Sequence, residues 1–242
     1  MIAVDTLIYE IDQRLNKLSS FDHQNIALED KILALNNGQI QLIKRKIGQN
    51  NVYKIGLDGF KKRYQDLQFL VENPENHRLA LTETDPIMYK YIADVSTITP
   101  KFMFYIDAYL LATKGTCEDR VIVCNPDLVK HADIQLLLNN SNFKPSFEYQ
   151  ETIIDIASDE LQVYTDGTFT PTFLYLTYLR YPLEIDKTGY VHFDGTNSTD
   201  QDSEFEDYLK DELLDLAVGN LAQYTENQSA AAYAKAREDS SE

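Results

Sequence analysis

Apolar residues at Val4, Leu7, Ile8, Ile11, Leu15 and Leu18 return every three or four positions, the period of a helix with one buried face. Ser19-Ser20 breaks that pattern, and a second helix is expected from near Asp22, with Ile26, Leu33, Ile40, Ile43 and Ile47 turned inward and Gly48 as its stop. Within it, Asn36-Asn37-Gly38 is a place to kink or split. A third helix is expected from Asp58, with Phe60, Tyr64, Leu67 and Val71 on one face and an end before Pro74. Short connections predict antiparallel neighbours in a bundle.

From Pro86 the period shortens. Lys101 to Ala112, Arg120 to Cys124 and Phe147 to Ile156 read as strands. Leu161 to Tyr164, the turn letters Thr165-Asp166-Gly167 and the run Phe173 to Tyr181 read as a hairpin. In its second strand Phe173, Tyr175, Thr177, Leu179 and Tyr181 share one face and Leu174, Leu176, Tyr178 and Arg180 the other, so a strand covered on both sides is expected. Pro182 ends it by removing a donor. Asn125-Pro126-Asp127 opens a helix that carries Leu128, Ala132, Gln135 and Leu136 to about Asn139.

After the polar loop Asp194 to Asp202, Ser203 and Glu206 have the spacing of a capping box. Phe205, Leu209, Leu213, Leu216, Ala217, Leu221 and Tyr224 follow as a broad stripe. So wide a stripe needs other helices or a sheet to cover it. The fold class predicted is α+β. Residues 1–85 and 200–227 form a helical bundle, 86–199 a β-rich insertion with one helix near 126–139, and 228–242 a tail. The other arrangement open to this pattern is two separate domains with the last helix on the sheet.

Charge narrows the partners. Phosphate binding is driven by clustered Lys and Arg, and with a net charge of -17 non-specific attraction to nucleic acid is not expected. Sixteen Tyr and eleven Phe without a Trp give ample aromatic contact area. Met1 to Asp5 lacks the features of a secretory leader, and the run Phe102 to Ala112, broken by Asp107, is too short to span a bilayer, so a cytosolic chain with no membrane partner is expected. Cys117 and Cys124 read as free thiols.

Candidate chemistry is sparse. Lys44-Arg45-Lys46 and Lys61-Lys62-Arg63 are read as solvated helix faces rather than a phosphate patch, and Thr113-Lys114-Gly115-Thr116 lacks the glycine spacing of a phosphate loop. Asp155, Asp159 and Glu160 gather carboxylates that acid–base chemistry or a divalent cation uses, but beside a turn they are read as solvated. His23, His77, His131 and His192 are scattered, with no nucleophile motif beside them. The acidic run Asp200 to Asp215 lacks the ligand spacing of a calcium loop, and solubility or attraction of a basic partner is its plainer use. No catalytic residue, metal or cofactor is expected.

Two stretches are distinctive: Leu174-Tyr175-Leu176-Thr177-Tyr178-Leu179-Arg180-Tyr181-Pro182-Leu183-Glu184-Ile185-Asp186, and, beyond the acidic loop, Glu212-Leu213-Leu214-Asp215-Leu216-Ala217-Val218. With three helices before them and a β-rich insertion, the order resembles the head-to-tail connector, or adaptor-ring, proteins of tailed bacteriophages, most closely those of crAss-like phages. The resemblance implies a virion structural protein made in the bacterial host cytoplasm, a helical bundle in a homo-oligomeric ring of about twelve copies. The ring would join the portal protein to other tail or ring proteins, with DNA passing through it unbound. It also implies that the C-terminal segment, with Tyr233, Lys235 and Arg237, meets the portal or a neighbouring subunit. Ser203, Phe205, Leu209, Leu213 and Leu216 are then structural. The competing expectations are another tail ring or scaffold protein and a metal-dependent hydrolase built on the scattered Asp, Glu and His residues.

Overall fold

A computed structural model describes residues 1–18, 26–48, 65–73, 78–115, 120–124 and 129–224. The chain is a mixture of helix and sheet, an α+β protein. It divides into two compact units, one of residues 1–69 with 182–242 and one of residues 70–181.

Among the described residues the first unit holds three long helices, α1 (Val4–Leu18), α2 (Leu28–Ile47) and α4 (Lys210–Tyr224), the last two separated in sequence by the second unit. On α1, Val4, Leu7, Ile11 and Leu15 are buried at helical spacing. Its first turn is capped from far along the chain, where the Asp202 carboxylate accepts the Val4 amide at 2.9 Å. On α2 the buried positions are Lys31, Ile32, Ala34, Leu35, Gly38, Gln39, Leu42 and Ile43, whereas Leu33, expected inward, is exposed. The true stripe shares Ile43 with the expected one but runs through Ile32, Leu35 and Leu42, and is completed by Gly38 and Gln39, which are buried without being apolar. Nor does Asn36-Asn37-Gly38 break the helix, since the missing Cβ of Gly38 lets α4 approach there.

α4 is buried over most of its circumference, with Leu213, Leu214, Leu216, Ala217, Val218, Leu221 and Ala222 all inside. Phe205 precedes it and meets Phe69 edge-on, ring centroids 5.2 Å apart. The capping box is not formed. Ser203 is wholly buried, pairs its backbone with Ile2 and donates its hydroxyl to Gln39 Oε1 at 3.3 Å. The chain then makes a 3-10 turn at Asp207–Leu209 before the helix. Ion pairs join the helices at their edges. Arg14 of α1 reaches Asp211 and, at 2.5 Å, Asp215 of α4; Lys46 of α2 reaches Glu212 at 2.7 Å and Asp66 at 3.1 Å. Most of the expected third helix lies outside the described residues. Where it is described, residues 65–67 are helical as expected, Gln68–Leu70 is a 3-10 turn and Val71 already a strand.

Among its described residues the second unit is a nine-stranded sheet. Its strands are β1 (Val71–Glu72), β2 (Arg78–Ala80), β3 (Thr82–Asp85), β4 (Lys90–Asp94), β5 (Phe102–Thr113), β6 (Arg120–Cys124), β7 (Glu151–Ala157), β8 (Glu160–Tyr164) and β9 (Thr170–Arg180). The order is β1-β9-β5-β6-β7-β8-β4-β3, with β2 also paired to β9. β6 and β7 run parallel and every other pair antiparallel. β2 and β3 are separated by Leu81 alone, yet one pairs with β9 and the other with β4 at the far end. That short segment brings the two ends of the sheet together, so a curled, nearly closed sheet leaves little free edge. Its interior is apolar, filled by Tyr91, Ala108, Leu110, Ile122, Ile154, Leu161, Val163, Leu174, Leu176 and Tyr178. The Tyr178 hydroxyl is satisfied by the Pro100 carbonyl at 2.7 Å.

On β9 one face, Leu174, Leu176 and Tyr178, is fully buried; on the other Phe173, Tyr175 and Thr177 are half-buried and Leu179 is buried, with Tyr109 and Tyr175 stacked 4.8 Å apart and the Arg78 guanidinium 3.3 Å above the Phe173 ring. The expected hairpin between β8 and β9 does not form. β8 has β7 on one side and β4 on the other, leaving no edge for β9, which pairs with β5 instead. Asp166 makes a local turn, accepting the Thr168 amide at 2.9 Å and hydroxyl at 2.7 Å, and the chain leaves the sheet there. The actual hairpin is β7–β8, whose turn places Ser158 at φ 57°. The helix expected from residue 126 is shorter. Residues 125–128 lie outside the described residues, Lys130 is extended, His131–Asp133 is a 3-10 turn and α3 spans only Ile134–Leu138. Ile134 is its buried residue and Leu136 is exposed.

Candidate functional site

Within the helical unit, the chain after Pro182 runs along α2 and is tied to it by side-chain amides. Asn36 donates from Nδ2 to the Ile185 carbonyl at 2.9 Å and accepts the Ile185 amide on Oδ1 at 2.8 Å, as a neighbouring strand would. Gln39 donates to the Leu183 carbonyl at 3.2 Å. Glu204 accepts the Leu183 amide at 2.7 Å, and Asp186 and Gln201 exchange backbone hydrogen bonds of 3.1 and 2.9 Å. Residues 183–201 therefore form a fixed platform.

Asp186 is the hub of that platform. Its Oδ1 accepts the Tyr190 hydroxyl at 2.7 Å and the Lys187 amide at 2.9 Å; its Oδ2 accepts the Thr199 amide at 2.7 Å and lies 3.1 Å from His192 Nε2. Burial by itself would raise this carboxyl's pKa. The donors from Thr199, Tyr190, Lys187 and His192 outweigh it and hold the pKa down at about 2. Burial raises that of Tyr190, and so do its bond to Asp186 and the charges of Asp186, Glu29 and Glu184, so the phenol stays protonated and donating.

Between this platform and the first half of α2 lies a groove of about 510 Å³, a volume typical of a ligand cleft. Its rim is apolar and open: Leu33 is 54% exposed, Leu183 49%, Val191 57%, and Phe193 as exposed as a free side chain. Two carboxylates, Glu29 and Glu184, also line it, and neither has an ion-pair partner among the described residues. Asp186 is in the lining but its oxygens are already occupied.

The residues singled out in the sequence are dispersed. His131 meets Asp155 at 2.9 Å and His192 meets Asp186 at 3.1 Å, in different units. Among the described residues no group of three or more His, Cys, Asp or Glu is placed to hold a metal ion. Asp155 is buried and also accepts the Ile156 amide at 2.7 Å, while Asp159 is exposed at the hairpin turn and Glu160 begins β8. Lys114 pairs with Glu148, and Lys44, Arg45 and Lys46 close the last turn of α2, where positive charge suits the helix dipole. The acidic run is divided among separate duties: Asp200 on Lys187 and Thr188, Asp202 on the first turn of α1, Asp211 and Asp215 on Arg14, and Glu212 on Lys46. Ser203, Phe205, Leu209, Leu213 and Leu216 are all buried. His23, His77, Lys61-Lys62-Arg63, Cys117 and the trio Tyr233, Lys235 and Arg237 lie outside the described residues.

Sequence reasoning missed the groove. Asn36 and Gln39 are separated from their partners by 149 and 144 residues, and no local pattern marks such a pairing. The visible signal was the resemblance stretch ending in Leu183 to Asp186, which supplies one wall. Compared with protein-family models the chain matches none, and no curated protein matches it.

Proposed function

We propose that this chain is a virion structural protein, a subunit of the oligomeric head-to-tail connector ring that joins portal to tail in a tailed bacteriophage. The observation that carries this reading is the groove's apolar rim. Leu33, Leu183, Val191 and Phe193 stand in water on a platform held by a dense set of hydrogen bonds. An ordered apolar patch rimmed by polar groups is the mark of a surface made for contact with protein. In this reading the helical unit of residues 1–69 and 182–242 forms the ring, and the β-rich unit of residues 70–181, which begins and ends earlier than the expected 86–199, faces a further ring or tail protein. The chain acts by holding neighbours together rather than by catalysis, in the virion after assembly in the host cytoplasm. A net charge of -17 suits a collar around a DNA passage, because a negative wall does not retain the passing phosphates.

The test is electron microscopy of the purified full chain, alone and mixed with its portal protein. Class averages showing a closed ring with a central hole, seated on the portal, are expected. A ring that binds tail components but never the portal moves the protein to another level of the tail. A chain that stays monomeric with every virion component overturns the reading.

A further inference from the structure

The groove between α2 and the 183–201 platform has two needs that its own residues do not meet. Its rim of Leu33, Leu183, Val191 and Phe193 stands in water, and Glu29 and Glu184 pair with no cation among the described residues. The lysines nearest to them in sequence are committed elsewhere. Lys31, buried on α2, binds Asp12 at 2.7 Å, and Lys187, the cation of the platform, binds Asp5 at 3.0 Å and Asp200 at 3.4 Å. Asp186 asks for nothing, because four donors saturate it. The charges of Glu29 and Glu184 both help to raise the pKa of the Tyr190 phenol, so their fields overlap in the groove that all three line.

One kind of side chain answers both needs. A guanidinium presents five donors in a fixed fork, so it can serve two carboxylates at once, and its weakly hydrated face stacks on an aromatic ring such as Phe193. A lysine ammonium is a compact charge that holds its water more strongly. Apolar neighbours of that arginine then cover Leu183, Leu33 and Val191. Charge also decides whose segment fits. At -17, two copies of this chain repel one another at range, whereas a basic chain is drawn in. The chain's own residues 225–242 are no substitute, since Glu226, Glu238, Asp239 and Glu242 outnumber Lys235 and Arg237.

We propose that the groove docks an arginine-bearing apolar segment of a different, basic protein, with the guanidinium held by Glu29 and Glu184 against the Phe193 ring. This rests on the reading of the groove as a protein-contact surface and adds the chemistry of what it contacts. Contacts between copies of this chain then use other surfaces. The opposite charges steer the partner's approach, and the arginine and its apolar neighbours fix it once water has left the rim.

The test uses the full-length chain and short peptide probes. The chain has no Trp, so a Trp in the probe is the sole indole and its fluorescence reports docking. The probes are acetylated, amidated Leu-Arg-Trp-Arg-Leu and its counterparts with lysine, citrulline or glutamate in place of arginine. Saturable binding of the arginine peptide is expected, weaker binding of the lysine peptide, and none of the other two. Glu29→Gln combined with Glu184→Gln is expected to weaken the arginine peptide by about tenfold or more, the worth of a charge-assisted hydrogen bond. Phe193→Ala is expected to weaken it about two- to fivefold. All three residues are exposed, so the variants should keep the thermal midpoint of the unchanged chain. Citrulline binding as tightly as arginine, or binding that both variants leave untouched, overturns the proposal. Lysine binding as tightly as arginine overturns the guanidinium anchor. Self-assembly of the chain that both variants abolish makes the occupant a second copy and overturns the different partner. No saturable binding by a chain that still forms closed rings overturns the docking site and leaves the ring reading standing. Arginine-peptide binding by a chain that never forms a ring, even on the portal, does the reverse.

Discussion

A Cβ built on Gly38 would lie 3.3 Å from Cδ1 and 3.4 Å from the carbonyl oxygen of Leu213, so α2 and α4 touch there almost backbone to backbone. Leu213 is fully buried and fills the space that a side chain on residue 38 would take. Alanine at 38 gains about 1 kcal/mol of helix propensity and gives back a similar amount in crowding, so Gly38→Ala is expected to be nearly neutral. Gly38→Val has no room and is expected to cost about 1–3 kcal/mol. Urea unfolding of both variants measures the difference, and a Val variant as stable as the Ala variant would mean the helices are not in contact at this point.

Ser203 and Glu206 separate two explanations of how α4 begins. The Ser203 hydroxyl is buried, donates to Gln39 and accepts the Phe205 amide at 3.3 Å, so Ser203→Ala is expected to cost about 1–2 kcal/mol. Glu206 is exposed and contributes its main-chain carbonyl to Leu209, so Glu206→Ala is expected to change stability by less than about 0.5 kcal/mol. In a capping box both substitutions would weaken the helix start. Equal losses in the two variants would restore that motif.

The Asp186 hub predicts a pH dependence. Its pKa in the folded chain is about 2, below the unfolded carboxyl value of roughly 3.9. The folded state therefore binds this proton more weakly than the unfolded state does. The stability it contributes is fully present above pH about 4 and is lost as the pH falls through about 2. Asp186→Asn removes this part of the acid sensitivity and costs about 1–3 kcal/mol at neutral pH, since charged acceptors bind donors more strongly than an amide. Denaturant midpoints from pH 7 to pH 2 test it, and parallel curves for the two proteins would refute the assignment.

Gly167 sits at φ 77° beneath the Tyr89 ring, where an added Cβ would come within 2.5 Å of the ring carbon Cζ. Gly167→Ala therefore meets two obstacles, a left-handed backbone worth about 1–2 kcal/mol and a clash with the ring. Replacing Tyr89 with Ala removes only the second. The double variant is expected to be more stable than the sum of the single losses allows, and a double-mutant cycle with no coupling would show that the ring does not cover this glycine.

The sequence by itself determined where chain segments become helix or strand when the apolar period is carried by apolar residues. Val4, Leu7, Ile11 and Leu15 on α1 are all buried as their spacing requires, and the broad stripe from Leu209 to Leu221 is inside. β5, β6 and β9 lie where alternation and the stop at Pro182 put them. These are local consequences of side-chain period, and the α+β class follows from them.

Tertiary structure alone decided what each element touches. The turn letters after Tyr164 are real turn chemistry, but β4 and β7 had already taken both edges of β8, so no hairpin with β9 formed. The buried face of α2 includes Gly38 and Gln39, which no apolar count selects, because one admits α4 and the other bonds a chain more than a hundred residues away. The groove arises in the same manner, from Asn36 and Gln39 holding a segment that sequence places far from them. Periodicity reports how a residue meets its own helix or strand, whereas pairing and pockets depend on which distant surface arrives, and that is settled only when the whole chain competes for the same edges.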